Sequence, residues 1–114
     1  MKERRAEPRW LCSDLIEVRI EGPRPREVTA NLEDVAPSGA CVQLEEPIAK
    51  GTRLRLMLGQ HEFRGRAVHS TRNQIGYFVG VQFDAGQKWS RQIYEPQHLL
   101  DPARVRARKS NTNA

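Results

Sequence analysis

Apolar and polar residues alternate in six short runs along this 114-residue chain, and a period of two predicts strands. Ile16, Val18 and Ile20 alternate with Glu17 and Arg19 until Gly22-Pro23-Arg24-Pro25 breaks the run. Val28, Ala30 and Leu32 alternate with Thr29, Asn31 and Glu33. They lead into Ala36-Pro37-Ser38-Gly39, where proline second and glycine fourth fit a type I turn. Ala40, Val42 and Leu44 continue beyond it, closed by Pro47 and Gly51. Leu54, Leu56 and Leu58 follow with Arg53 and Arg55 facing out. Gly59-Gln60 then turns into residues 62–70, where Phe63, Gly65 and Ala67 share a face. A further turn at 72–75 leads to the sixth run at 77–83, and His69 is expected to pack against Tyr77 across that hairpin.

Six short strands joined as hairpins at this spacing predict an all-β, antiparallel barrel or sandwich. Gly65 and Gly80, inside strands, fit sharp barrel corners. After Gly86 the period changes. Trp89, Gln92 and Ile93 fall on one side of a short C-terminal helix over residues 87–95, ended by Pro96, which would pack Trp89 and Ile93 over the barrel mouth. Asp101-Pro102 would start one more helical turn through Arg108.

The net charge of +5 sharpens this division. Residues 10–100 carry eleven basic and eleven acidic side chains, so all the excess basicity lies on the two ends. The chain therefore reads as a flexible arginine arm at 1–9, a barrel with its short helix at 10–100, and a basic tail at 101–114. A neutral body with basic ends points to local anion capture, since a duplex-binding barrel spreads its charge over a folded face. No run approaches a transmembrane length, and the charged start MKERRAEPRW has no apolar core of a secretory signal. The expectation is a cytoplasmic protein with no membrane partner. Cys12 and Cys41 then read as reduced thiols, and with only His61, His69 and His98 beside them no metal-site spacing exists. No nucleophile–base–orienter set is visible, so the chain does not read as an enzyme.

The candidate chemistry lies in two stretches 25 residues apart. Arg4-Arg5-Ala6-Glu7-Pro8-Arg9 reads R-R-x-x-x-R, and Asp34-Val35-Ala36-Pro37-Ser38-Gly39 reads D-x-A-x-x-G. Arginine forks match phosphate oxygens or the O6/N7 edge of guanine in bidentate geometry. A carboxylate accepts from guanine N1–H and the amino group, which no arginine can do. Together the two stretches suit a guanine nucleotide.

With the arm, the turn motif closing the second strand and G-V-x-F at Gly80–Phe83, the chain resembles a PilZ domain from about Arg4 to Tyr94. The resemblance implies a bacterial, six-stranded split β-barrel that binds the second messenger cyclic di-GMP and needs no other cofactor. Arg5 and Arg9 match the arginines of the arm. Asp34 and Gly39 match the ends of the turn motif, and Ala36 stands where the family usually has serine. The missing hydroxyl costs about 0.5–1.5 kcal/mol, or about 2- to 10-fold in affinity, with Ser38 a nearby substitute. An arginine at the position of Arg4 accompanies two mutually stacked nucleotides in the family, so the resemblance implies that this chain binds a stacked pair of the messenger. The G-V-x-F stretch itself reads as barrel packing, and Trp10 as core or as a flank of the nucleotide.

The expected action is that ligand phosphates draw down Arg4, Arg5 and Arg9, ordering the arm across the barrel. Asp34 and the backbone at Ser38-Gly39 would hold the base, and the changed surface would signal to a separate, unidentified protein. The alternative is a protein-interaction adaptor of the same fold without nucleotide binding. A nucleic-acid-binding small barrel ranks below both, because the body is neutral and only 6% of residues are aromatic stacking platforms.

Overall fold

The computed structural model of the chain describes residues 7–100. Six strands close into one antiparallel barrel. They are β1 (Trp10–Ile20), β2 (Arg26–Ala36), β3 (Gly39–Leu44), β4 (Arg53–Leu58), β5 (His61–Asn73) and β6 (Gly76–Phe83). The order around the barrel is β1-β2-β3-β6-β5-β4, with β1 pairing β4 to close it. β1–β2, β2–β3, β4–β5 and β5–β6 are hairpin neighbours, residues 45–52 carry the chain from β3 across to β4, and the β3–β6 and β1–β4 pairings join strands distant in sequence. Alternation sets the register because a slip of one residue would turn every apolar side chain outward. Val18, Leu32, Val42, Leu56 and Val79 accordingly point into one fully buried core.

Strand β1 begins at Trp10, six residues earlier than the apolar alternation alone indicates. A register shift between Leu11 and Asp14 lies in that stretch. Cys12 and Asp14 face inward there while Leu11 and Leu15 remain exposed, so the pattern is inverted. Buried Asp14 is satisfied: it accepts hydrogen bonds from the Tyr94 hydroxyl and, at 3.2 Å, from the Gln97 amide.

The segment after β6 corrects the helix expectation. Residues 87–95 form no helix; their one turn is made by Ile93 and Tyr94 amides donating to the Ser90 carbonyl at 3.0 and 3.2 Å. Nine residues between Gly86 and Pro96 are too few to sustain an isolated helix, and tertiary bonds claim the backbone instead. The Trp89 amide donates to Pro37 O at 2.9 Å, and its indole N–H donates to Tyr94 O at 2.8 Å. Trp89 is buried as expected, packed edge-on to Trp10 with ring centroids 5.9 Å apart, whereas Ile93 remains 37% exposed. Trp10 is therefore a core-edge residue, with the Arg91 guanidinium 5.8 Å from its ring centre. The turn expected through Arg108, and the basic tail as a whole, lie outside the described residues.

Candidate functional site

The β2–β3 turn is where the candidate chemistry collects. Ala36 and Gly39 pair directly, leaving Pro37-Ser38 as a two-residue connection. Ser38 keeps a negative φ, which excludes the type II geometry and agrees with the expected type I turn. From behind, the bond from the Trp89 amide to Pro37 O fixes the turn to the barrel end.

Against this turn lies the last part of the arginine arm. The Arg9 guanidinium meets Asp34 Oδ1 through both Nε (3.1 Å) and NH2 (2.8 Å), bridging 25 residues of sequence. Both partners are mostly shielded, so the pair is a charge-assisted bond rather than a screened surface contact. Two residues earlier, one carboxylate oxygen of Glu7 accepts from Ser38 twice, from its amide at 3.1 Å and its hydroxyl at 2.7 Å. Lys88 Nζ stands 4.0 Å from the other oxygen. The Ser38 hydroxyl thus points to the arm.

These residues open onto a pocket of about 410 Å³ on the outer face of the barrel. That volume lies within the ~300–1,000 Å³ range of small-molecule sites. Glu7, Arg9, Ala36, Ser38 and Gly39 line its near end; Val68, His69 and Gln82 line its far end. The row of paired residues across the strands runs Asp34, Cys41, Gly80, His69, so the pocket crosses from β2 to β5. Of the sequence-derived candidates, Arg9, Ala36, Ser38 and Gly39 are brought together on this pocket. Asp34 reaches it through Arg9 and is not itself part of the lining. Arg4 and Arg5 lie outside the described residues.

Three features escaped the sequence. Glu7 sat in the arm motif at a variable position, and no local signal ties it to Ser38. His69 pairs with Gly80, three positions along β6 from Tyr77, which pairs with Arg72; a one-residue shift between Ala67 and His69 separates this register from that of Ala67 and Val81. Gly80, Val81 and Gln82, read as packing alone, also line the pocket. The alternation that buries Val81 and Phe83 does place Gln82 outward, so that much was available. Gly39 has a reason of its own: a Cβ there would fall 2.6 Å from the backbone carbonyl of Val81.

The two thiols are held protonated. Burial, followed by the charge of Asp34, pushes Cys12 up to about 12 and Cys41 up to about 11. Cys12 Sγ donates to Leu32 O at 3.4 Å, and both cysteines are free. Among the described residues no group of three His, Cys, Asp or Glu side chains is placed to hold a metal ion. No helix among them is long and apolar enough to cross a membrane.

A closed six-stranded barrel with an external pocket, a cationic clamp and a tight polar turn defines a small ligand-binding or adaptor domain. The chain matches the PilZ domain over residues 3–95 and belongs to that family. Among solved structures it is similar to Escherichia coli YcgR in complex with c-di-GMP (16% identity, TM-score 0.56, covering 73% of this chain and 39% of that one). It is also similar to the PilZ domain of E. coli YcgR with c-di-GMP (14%, 0.53, 73% and 79%). The Bacillus subtilis inhibitor of motility MotI/DgrA is comparable (15%, 0.50, 73% and 43%). At these identities the likeness is one of fold, and the chain spans about two fifths of the full YcgR and MotI/DgrA chains. No curated protein matches the sequence.

Proposed function

We propose that this domain is a cyclic di-GMP receptor that acts through a separate protein. The observation that carries the reading is the Arg9–Asp34 pair at the mouth of the pocket formed by Ala36, Ser38 and Gly39. Arginine supplies the fork for phosphate or for the guanine O6/N7 edge, and the carboxylate supplies the acceptor for guanine N1–H. In the structure each already has a partner: Asp34 neutralises Arg9, and Glu7 occupies the Ser38 donors. Binding then exchanges these internal bonds for bonds to the nucleotide. Phosphate oxygens take over the Ser38 amide and hydroxyl, Glu7 is released, and Arg4 and Arg5 add charge to the same ligand. This exchange orders the arm on binding and changes the barrel face that a downstream protein reads.

Titration calorimetry of the chain with cyclic di-GMP tests the reading, giving affinity and stoichiometry together. Binding at micromolar affinity or tighter is expected, with two nucleotides per chain if Arg4 supports a stacked pair and one if it does not. Arg9→Ala removes charge-assisted bonds worth about 1.5–3 kcal/mol each and weakens binding at least about tenfold. Unchanged amide exchange across residues 1–10 on saturation would contradict the ordering of the arm. A second reading, an adaptor that binds no nucleotide, draws support from Glu7 filling the Ser38 donors and from Ala36 offering none. The absence of binding heat at high ligand concentration would make it the better account.

A further inference from the structure

At the far end of the pocket, His69 occupies a position that neither turn motif nor arm explains. Its imidazole lies over Gly80, the residue it pairs with on β6. A Cβ built on Gly80 would collide with the ring, with Cε1 at 2.6 Å, Cδ2 at 2.7 Å and Nε2 only slightly nearer. Near-equal approach of three ring atoms means that the ring is laid flat over the strand; a ring meeting it tip-first would present Nε2 alone. One face is thus backed by bare backbone. The residue is nevertheless exposed and lines the pocket, which leaves the opposite face toward it. Beside it, Arg66 NH2 donates to Gln82 Oε1 at 3.1 Å. Because arginine can only donate, this fixes the Gln82 carbonyl toward Arg66 and leaves the amide NH2 to donate elsewhere.

We propose that His69 is a stacking platform for a purine base, with Gln82 as a donor at its edge. From Asp34 to Gly80, beneath the His69 ring, the path crosses two strand spacings of ~4.8 Å, about 10 Å in all. A ligand whose first base and phosphates engage Arg9, Asp34 and Ser38 therefore presents its second base to His69. Aromatic rings, histidine included, stack on bases with little dependence on base identity. The platform consequently adds affinity for dinucleotides over mononucleotides, while base choice stays with Arg9 and Asp34. This inference rests on the cyclic di-GMP reading. The competing account is purely structural: an aromatic ring covering a cross-strand glycine stabilises a sheet without touching any ligand.

The test is cyclic di-GMP titration of the full chain as wild type, Arg9→Ala, His69→Ala and His69→Phe, with a thermal melt of each. Stacking predicts that His69→Ala weakens binding about 5- to 150-fold and that His69→Phe, which keeps a flat ring over Gly80, restores most of it. The His69 ring protons should also shift upfield in NMR on saturation, the signature of a base stacked on the ring. If His69→Ala melts lower but binds as wild type, the ring only covers Gly80 and the inference fails alone. A loss that phenylalanine does not restore equally overturns stacking. Failure of the wild type to bind, or full binding by Arg9→Ala, overturns the underlying receptor reading and this inference with it.

Discussion

Gly39→Ala separates two explanations of the glycine that ends the turn motif. One is that the nucleotide must approach the backbone there; the other is that the barrel itself leaves no room. Gly39 has an ordinary negative φ, so alanine meets no conformational penalty and gains about 0.4–1 kcal/mol from a stiffer unfolded chain. The steric account is different. The new methyl would sit 2.6 Å from Val81 O, and Gln82 Cα and Val81 C lie 3.7 Å away. These are backbone atoms locked in the ladder, since Gly39 pairs with Gln82, Ala40 with Val81, and the Phe83 amide donates to Ser38 O at 2.9 Å. They cannot swing aside as a side-chain end would, so β3 and β6 must separate. Overpacking of this kind costs about 1–3 kcal/mol, leaving a net loss of roughly 1–2 kcal/mol after the entropic gain. For a domain near this size the melting temperature should fall by about 4–16 °C without ligand. Circular dichroism melts read this directly, and titration well below the transition reads affinity. A variant that melts within about 2 °C of wild type yet loses nucleotide binding would refute the packing argument.

Three further outcomes follow from the same contacts. Ala36→Ser should tighten cyclic di-GMP binding about 2- to 10-fold by restoring a hydroxyl to the pocket wall; unchanged or weaker affinity in calorimetry would show that Ser38 already fills that role. Cys12 and Cys41, with folded-state values near 12 and 11 against an ordinary 9.0, should resist alkylation at pH 8, and prompt labelling of the native protein would contradict their burial. Because both values are raised, the stability they contribute is complete below pH 9 and drains as pH rises through 11–12. Tyr94, pushed up to about 12 by burial and by Asp14, acts in the same direction, so melting temperature should drop in alkali and drop less in a Cys12→Ala/Cys41→Ala variant. Asp14→Ala strips the Tyr94 hydroxyl and Gln97 amide of their acceptor and should cost about 2–4 kcal/mol, read as a lower melt and faster amide exchange at Gln97.

How far the fold was legible depends on whether inward positions stayed apolar. From Ile16 onward they do, and the strands, the hairpin order and the turns at Pro37-Ser38 and Gly59-Gln60 all emerge from alternation and turn chemistry. Before Ile16 the inward positions are Cys12 and Asp14 while Leu11 and Leu15 face water. An inward carboxylate is acceptable only because Tyr94 and Gln97, 80 and 83 residues away, supply donors. Nothing near Asp14 in the chain announces that. The false helix at 87–95 has the same origin. Its apolar spacing is compatible with a helix, but Trp89 spends its amide on Pro37 and its indole on Tyr94, and neither partner is visible from local period.

The site divides along the same line. Arg9 and Asp34 were legible as members of two motifs in a recognisable order, but their direct pairing at 2.8 Å was not among the expectations. Glu7 on Ser38 and His69 on Gly80 were not legible, because each depends on register set elsewhere. The first needs the arm to lie along the turn; the second needs the one-residue shift at Val68, which sets His69 opposite Gly80 where the register running on from Ala67 and Val81 would set it opposite Val79. That shift matters chemically. Without it a side chain on β5 would face another side chain on β6, and the imidazole would stand upright in a cross-strand pair. With it the ring has only a glycine beneath, lies flat, and turns one face to a pocket whose opposite end carries the guanidinium. One bulge residue therefore decides whether the far wall of this site is a filled surface or a platform.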